Sequence, residues 1–295
     1  MDKPVYVGRF APSPTGPLHF GSLVAALASF LDARAVGGRW LVRIEDLDPP
    51  RETPAAARFI LDQLTGFGLH YDGEVLYQST RLDAYGDALQ RLRDMQLTFP
   101  CTCTRKDLGK IYGGRCRGRS FDETEAPYAI RCRVDATDIS IIDRISGRQH
   151  WNLSKNVGDF IVKRKDGLFA YQLAVVVDDA FQGVTDVVRG TDLLGSTPRQ
   201  VYLASCLGLP HQRYAHLPVI TGADGAKLSK QTHAAAVDPA DAVFLLRRAL
   251  LALGQPDPGN SATVTKLIET AINNWRIDRV PNCAGLPLSG LSIAP

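Results

Sequence analysis

Residues 5–34 read VYVGRFAPSPTGPLHFGSLVAALASFLDAR, and this stretch predicts a strand, a loop and a helix in that order. The apolar run from Val5 to Phe10 predicts a short buried strand. The next segment, 11–17, contains three prolines, through which no helix can pass. Apolar residues then recur at the spacing of one helix face: Leu23, Leu27, Phe30 and Leu31. The chain should therefore leave a strand at its carboxyl end and enter a helix through an irregular loop.

The alternation of strand and helix continues up to residue 98. The run Trp40 to Ile44 predicts a second strand, and Thr53 and Pro54 are typical of a helix N-cap and first helical position. The inner faces of that helix and of a helix over 81–95 should contain Phe59, Ile60, Leu64, Leu82, Tyr85, Leu89 and Leu92. This order predicts an α/β fold with a Rossmann-like parallel sheet, which binds ligands at the carboxyl ends of its strands.

The pattern changes after residue 98, where short strands and turns replace the alternation. We predict four regions: the first half of the main α/β domain at 1–98, an insertion at 99–165, the second half at 166–235 and a short helical region at 236–295. Other predicted elements are strands at 128–134, 140–145, 173–177 and 217–221, a hairpin turn at Lys165-Asp166-Gly167, and helices at 197–207, 239–253 and 262–275.

Composition places the chain among ordinary globular proteins. Of its 295 residues, 45% are hydrophobic and 22% are charged, which excludes a disordered, collagenous or coiled-coil chain. The net charge of +3 permits a nucleic-acid partner without indicating one. No apolar run is long enough to span a membrane and the first residues carry no signal-peptide core, so we expect no membrane association and a cytoplasmic location.

The loop before the first helix is a candidate anion site. Backbone N–H groups at a helix N-terminus attract phosphate, and Gly16 and Gly21 permit a ligand to approach the backbone closely. His19 has the chemistry to bind phosphate oxygens, and Ser22 to cap the helix. The alternative is an ordinary proline-rich turn with a structural histidine. A second candidate is the segment Lys227 to Gln231, because the charges of Lys227 and Lys230 suit a polyphosphate. The alternative is a solvated basic loop.

Together these two segments resemble the signature motifs of class I aminoacyl-tRNA synthetases. His19-Phe20-Gly21-Ser22 matches the first motif and Lys227 to Gln231 the second, while RFAPSPTG at 9–16 resembles the glutamyl-tRNA synthetase family more narrowly. The resemblance runs from about residue 5 to about residue 235. It implies an enzyme that activates L-glutamate with ATP and Mg²⁺ to form glutamyl-adenylate.

The resemblance also implies roles for individual residues. His19 and Lys230 would be catalytic, and ATP would contact His19, Gly21, Ser22, Lys227 and Lys230. Glutamate would contact Arg9, Phe10, Ala11, Pro12, Ser13, Glu45, Tyr171 and Arg189. This assignment is chemically reasonable, because arginine donors suit the two carboxylates of glutamate and Glu45 offers a countercharge to its ammonium group.

Three cysteines lie close together in sequence, at Cys101, Cys103 and Cys116. Clustered thiols in a chain without an export signal indicate a metal site before a disulfide, with free thiols as the alternative. A structural zinc site requires a fourth ligand, for which Cys132 is a candidate on spacing. The resemblance points instead to Tyr112, through a C-x-C…Y-x₃-C pattern found in shorter relatives of the family.

The region after Gln231 is short, so we expect no anticodon-binding domain. This favours resemblance to the shorter glutamyl-queuosine tRNA(Asp) synthetases, in which HFGS is the usual first motif. They attach glutamate to queuosine in the anticodon loop of tRNA(Asp), and we expect a monomer. The alternatives are a tRNA(Glu)-charging synthetase without its own anticodon domain and a non-catalytic module that binds glutamate or ATP. Arg115 to Arg119 and Arg247-Arg248 are either phosphate contacts or solvated surface.

Overall fold

The computed structural model describes residues 5–107, 109, 111–125, 127–222, 225–228, 235–259 and 263–291. The strands are β1 (Val7–Phe10), β2 (Arg39–Ile44), β3 (Leu76–Tyr77), β4 (Thr98–Cys101), β5 (Ala129–Cys132), β6 (Asp138–Asp143), β7 (Gly147–Asn152), β8 (Phe160–Lys163), β9 (Asp186–Gly190), β10 (Arg213–Leu217), β11 (Val219–Thr221) and β12 (Gly285–Pro287). The helices are α1 (Phe20–Arg34), α2 (Ala56–Gly66), α3 (Leu82–Asp94), α4 (Leu153–Asn156), α5 (Tyr171–Phe181), α6 (Thr197–Leu207), α7 (Ala242–Ala252) and α8 (Val264–Asn274). None of these helices is long and apolar enough to cross a membrane.

Parallel strands form the centre of the molecule, as the alternating sequence pattern predicts. Strand β1 pairs in parallel with β2, which pairs in parallel with β3, and β9 pairs in parallel with β10. Thr185, just before β9, donates its backbone N–H to Val7 O at 2.9 Å, which brings β9 beside β1. The α/β fold with a parallel sheet is therefore confirmed, and the carboxyl ends of these strands face the same region.

The first hydrophobic core surrounds α1. The predicted face of this helix is confirmed, since Leu23, Leu27, Phe30 and Leu31 are all buried. Trp40 from β2 packs edge-on against Phe30, with ring centroids 5.2 Å apart. Helices α7 and α8 also pack against α1, so residues after 241 contribute to this core.

The antiparallel strands lie between Thr98 and Lys163. Strands β4, β5 and β8 form one antiparallel sheet, and β6 and β7 form a hairpin. A second hydrophobic core joins this region to α3, α5 and α6. The predicted turn at Lys165-Asp166-Gly167 is confirmed, because Gly167 donates to Arg164 O and Lys163 forms an antiparallel bridge with Phe169.

The strand predicted at 173–177 is wrong, because these residues belong to helix α5. The run from Leu173 to Val176 is buried throughout, because α5 is packed between α3, α6 and β8. A helix that is covered on several sides lacks the one-sided apolar pattern that distinguishes helix from strand in a short window.

Two predicted boundaries also differ. Helix α2 begins at Ala56 with Ala55 as N-cap, rather than at Pro54 with Thr53 as N-cap, because Thr53 O closes a turn with Ala56 N and Ala55 adopts a left-handed φ of 60°. The single strand predicted at 217–221 is instead the end of β10 followed by β11, separated by Pro218, which has no backbone donor. Two side chains predicted to face inward, Phe59 and Leu82, are exposed by 57% and 49%.

Candidate active site

A cleft of about 580 Å³ opens at the carboxyl ends of β1, β2, β9 and β10. It is lined by residues that end or directly follow these strands, including Phe10, Glu45, Gly190 and Leu217. The cleft brings together most of the site residues predicted from sequence: Arg9, Phe10, Ala11, Pro12, Ser13, His19, Gly21, Ser22, Glu45, Tyr171, Arg189 and Lys227. Lys230, the remaining residue of that set, lies outside the described residues.

The N-terminus of α1 forms one wall of the cleft. His19, and not Ser22 as predicted, is the N-cap residue, because His19 Nδ1 accepts a hydrogen bond from Ser22 N at 3.3 Å. The imidazole therefore occupies the capping position that the serine hydroxyl would take. A side chain at Gly21 would lie 3.2 Å from the His19 ring, so glycine leaves room for the histidine. Helix α1 thus presents its backbone N–H groups and His19 to the same space.

Four charged side chains form a connected group, in which Arg9 and Glu45 line the cleft and Arg43 and Asp179 are buried. Asp179 Oδ1 accepts hydrogen bonds from Arg9 Nε at 3.2 Å and from Arg43 at 2.8 Å. Glu45 Oε1 lies 3.5 Å from the Arg43 guanidinium, but it has no hydrogen-bond partner among the described residues. Because the Glu45 side chain is only 10% exposed, this oxygen is shielded from solvent and its hydrogen-bonding capacity is unused.

The pKa values of the two carboxyl groups are shifted in opposite directions. Burial raises the pKa of Glu45 to about 7, although Arg43 and Arg9 oppose that shift. Burial also acts to raise the pKa of Asp179, but the charges of Arg9 and Arg43 outweigh it and lower the pKa. Asp179 is therefore the stable counterion of the arginines, whereas Glu45 would gain from a cation in the cleft.

Arg189 extends into the cleft from β9 and is only 5% exposed. Its guanidinium donates to Gln200 Oε1 and to Thr197 Oγ1, both at 2.8 Å, and to the Tyr171 hydroxyl at 3.4 Å. Its Nε donates to the ring of His216 at 3.1 Å. The predicted pair of Arg189 and Tyr171 therefore lies together, supported by three polar residues that the sequence analysis did not identify.

Residues of the second signature segment, Lys227 and Leu228, also line the cleft. Lys227 Nζ forms an ion pair with Asp192 at 2.5 Å, and both residues line the cleft. The described residues on either side of Lys230 are also bound at the cleft. Leu228 N donates to Ile220 O at 2.8 Å, and Ala236 forms an antiparallel bridge with His19.

The cysteine cluster lies apart from the cleft, beside β4. The sulfur atoms of Cys101, Cys103 and Cys116 all lie within 4.8 Å of one another. The Tyr112 hydroxyl lies 3.7 Å from Cys101 Sγ and accepts a hydrogen bond from Cys116 N. Burial acts to raise the pKa of Cys101, but a hydrogen bond from Arg131 and contacts with its neighbours lower it to about 7. Three thiols thus lie together with a phenol oxygen beside one of them, and clustered cysteine sulfur atoms are typical zinc ligands.

The structure distinguishes the two candidates for a fourth ligand by position. Tyr112 packs with Phe99 in the same small cluster as the three cysteines. Cys132 belongs to the second hydrophobic core, where its thiol faces the carbonyl oxygen of Arg133. Burial raises the pKa of Cys132, which opposes formation of the thiolate that a metal requires.

The basic segments have structural partners. Arg117 forms a two-point ion pair with Asp159 at 2.7 and 2.6 Å, and Arg247 forms one with Asp257 at 2.8 and 2.7 Å. Arg248 donates to the carbonyl oxygen of Leu291. These contacts give Arg117, Arg247 and Arg248 structural roles, whereas Arg115 and Arg119 are exposed.

Comparison with known proteins gives consistent results. The family described as tRNA synthetases class I (E and Q), catalytic domain, matches residues 5–253. A Thiobacillus denitrificans protein named Glutamyl-Q tRNA(Asp) synthetase is 54% identical, over 95% of this chain and 97% of that protein. A Pseudomonas fluorescens protein of the same name is 50% identical, over 97% of each chain. A crystal structure of a glutamate tRNA ligase from Elizabethkingia meningosepticum, in complex with its amino acid, superimposes with a TM-score of 0.79 at 25% identity, covering 97% of this chain and 67% of that chain.

Proposed function

The chain belongs to the class I tRNA synthetase family for glutamate and glutamine, and from this premise we propose that it activates L-glutamate with ATP and transfers it to queuosine in the anticodon loop of tRNA(Asp). The observation that supports the proposal is the cleft, in which two arginine side chains and the Glu45 carboxylate lie with the N-terminus of α1 and suit the carboxylates and the ammonium group of glutamate. The choice of acceptor rests on relatives named Glutamyl-Q tRNA(Asp) synthetase, which match nearly the whole chain at about 50% identity.

Glutamate fits the charges of the cleft. Its ammonium group would take the place opposite the unpartnered oxygen of Glu45. Arg9 and Arg189 supply forked donors for the carboxylates, and each is already held by acceptors that fix its orientation. A charge-assisted hydrogen bond is worth about 1.5–3 kcal/mol, so each of these contacts would contribute roughly ten- to a hundredfold to glutamate affinity.

Activation needs positioning and charge stabilisation and no protein nucleophile. The α-carboxylate of glutamate attacks the α-phosphorus of ATP, the bond to the bridging oxygen breaks, and pyrophosphate leaves. His19 and the N–H groups of α1 would stabilise the phosphate charge, with Lys227 and Lys230 acting from the second motif. Mg²⁺ would enter bound to ATP and neutralise part of that charge.

Transfer completes the reaction. A hydroxyl of the queuosine cyclopentene ring attacks the carbonyl carbon of glutamyl-adenylate, an ester forms and AMP leaves. A single base presented by an anticodon loop is small enough to enter the cleft directly. We assign the main α/β domain to 1–98 and 166–235, the insertion that approaches the tRNA to 99–165, and the helical support to 236–295.

We further propose that the cysteine cluster holds one structural zinc ion through Cys101, Cys103, Cys116 and the oxygen of Tyr112. Such an ion would connect β4 to Cys103, Tyr112 and Cys116 and would take no part in the chemistry. We expect about one zinc per chain by metal analysis of protein purified without added metal, and loss of that zinc in Cys103→Ser.

Cys132→Ser is the matched control for the zinc proposal, because this thiol lies in the second core and should leave the zinc content unchanged. Zinc-free protein that resists proteolysis as well as the metal-loaded form does would overturn the proposal. Loss of zinc in Cys132→Ser with retention in Tyr112→Phe would reassign the fourth ligand.

The proposed function is tested by glutamate-dependent exchange of pyrophosphate into ATP with no RNA present. We expect exchange with glutamate and none with glutamine, because glutamine lacks the second carboxylate that the arginine side chains of the cleft would bind. Absence of exchange under all substrate conditions would contradict the assignment of the cleft as a glutamate-activating site and favour a non-catalytic binding module.

A further inference from the structure

All five N–H donors of Arg189 are directed at protein acceptors. Three of these contacts are short: those to Gln200 and Thr197 at 2.8 Å and that to His216 at 3.1 Å. The other two, to the Tyr171 hydroxyl and the Leu193 carbonyl oxygen, are both 3.4 Å long. The two long contacts mark the donors that a substrate carboxylate can take over, while the short contacts hold the guanidinium in place.

His216 can anchor Arg189 only in one tautomer. Its Nε2 must be unprotonated in order to accept from Arg189 Nε, so the ring proton must be on Nδ1. Nδ1 faces Asp143 Oδ2 at 2.6 Å, which is the partner that fixes this tautomer. The Thr197 hydroxyl, 3.2 Å from Nε2, is consistent with this arrangement because it can donate to the ring while accepting from Arg189.

The protonation state of His216 agrees with this geometry. The ring is fully buried, and burial together with the nearby charge of Arg189 lowers the pKa of His216, while Asp143 opposes the shift. His216 is therefore neutral at neutral pH and keeps a lone pair on Nε2. A protonated ring would direct an N–H group at the N–H of Arg189, and the anchoring contact would be lost.

Asp143 reaches this site from the β6–β7 hairpin. Its Oδ1 accepts hydrogen bonds from the backbone N–H groups of Ile145 and Ser146 at 3.0 and 2.8 Å, so its carboxylate is fixed by the turn of the hairpin. A residue of the antiparallel region is thus connected through His216 to Arg189, which lines the cleft. The contact spans 73 positions in the chain, and no local sequence pattern indicates it.

We propose that His216, oriented by Asp143, is a positioning residue for glutamate, because it holds the guanidinium of Arg189 in the orientation that binds a substrate carboxylate. The proposal rests on the proposed function and adds to it a dependence of glutamate affinity on the Asp143–His216 pair. His216 does not line the cleft, so it acts on the substrate only through Arg189.

Two substitutions of similar polarity separate this role from a general structural one. In His216→Gln, the amide oxygen reaches the position of Nε2 and can still accept from Arg189. In His216→Asn, the shorter amide reaches only the position of Nδ1, so the contact with Asp143 survives and the contact with Arg189 is lost. A role limited to packing predicts similar behaviour of the two variants.

The test is the KM for glutamate and the KM for ATP in pyrophosphate exchange. We expect His216→Asn to raise the KM for glutamate about ten- to a hundredfold, with His216→Gln closer to the unsubstituted protein and the KM for ATP unchanged in both. Arg213→Gln is the control, since Arg213 lies on the same strand and pairs with Asp186 at 2.8 Å, away from Arg189. We expect this control to leave the KM for glutamate unchanged.

Equal effects of the Asn and Gln substitutions, or a parallel rise in the KM for ATP, would overturn the positioning role while leaving the proposed function intact. Absence of exchange in the unsubstituted protein would instead contradict the proposed function. If either variant fails to fold, Asp143→Asn provides the second test, because it weakens the tautomer preference without shortening the histidine. We expect this variant to raise the KM for glutamate as well, and an unchanged KM would contradict the proposal.

Discussion

Glu45 is the residue whose charge state should control glutamate binding. Burial raises its pKa to about 7, with Arg43 and Arg9 lowering it and Asp178 and Asp179 adding to the rise. Only the ionised carboxylate attracts an ammonium group, so the KM for glutamate should fall as the pH increases from about 6 to about 8. Glu45→Gln should raise the KM and flatten this dependence. If the KM for glutamate of the variant changed with pH as steeply as that of the unsubstituted protein, a group other than Glu45 would be responsible.

Individual site residues were predictable where they belong to a local motif. The run from Arg9 to His19, together with Glu45, could be identified because motif and position agree. Asp179 and His216 could not, since Asp179 contacts Arg9 across 170 positions and His216 contacts Asp143 across 73. In the sequence, Asp179 belongs to an acidic pair, Asp178-Asp179, that follows an apolar run. Solvated acidic residues give the same pattern, so the pair alone does not indicate a buried contact.

At the scale of elements, His19 at the N-terminus of α1 has a structural role as the N-cap residue, and we propose a chemical role for the same side chain. His19 caps the helix through Nδ1, and asparagine is also a good N-cap residue. We therefore expect His19→Asn to retain the free energy of unfolding and His19→Ala to lose about 1 kcal/mol of it, measured by urea denaturation. Both should lose most pyrophosphate exchange. Full activity of His19→Asn would remove the imidazole from phosphate binding.

The elements themselves were predictable where an apolar pattern extends over enough residues to show its period. Helix α1 is buried on most sides, but its apolar residues recur at helical spacing from Leu23 to Leu31, so the predicted helix is confirmed. Helix α5 is covered by α3, α6 and β8, so its apolar run is continuous and is indistinguishable from that of a buried strand. The break between β10 and β11 at Pro218 is likewise set by backbone geometry rather than by hydrophobic pattern.

At the scale of the whole molecule, Asp32 joins distant parts of the chain. This buried carboxylate of α1 accepts from Arg144 next to the β6–β7 turn at 2.5 and 3.0 Å, and from Trp275 after α8 at 3.0 Å. We expect Asp32→Asn to lower the free energy of unfolding by about 3 kcal/mol, because it leaves Arg144 without its main countercharge. Urea denaturation measures this loss.

The control for Asp32 is Asp62→Asn, because Asp62 forms an exposed ion pair with Arg58 at 3.8 Å. Pairs of this kind contribute roughly 0–1 kcal/mol, so the variant should unfold at nearly the same urea concentration as the unsubstituted protein. Similar stability losses in both variants would contradict the assignment of Asp32 as the carboxylate that joins the two cores and the C-terminal segment.

The identity of the acceptor is tested by the transfer of labelled glutamate to tRNA. Three RNAs should be compared: tRNA(Asp) carrying queuosine, the same tRNA(Asp) without the modification, and tRNA(Glu). We predict labelling of the queuosine-containing tRNA(Asp) alone, at a site within its anticodon loop. Labelling of tRNA(Glu) at its 3′ end, or equal labelling of tRNA(Asp) with and without queuosine, would contradict the account.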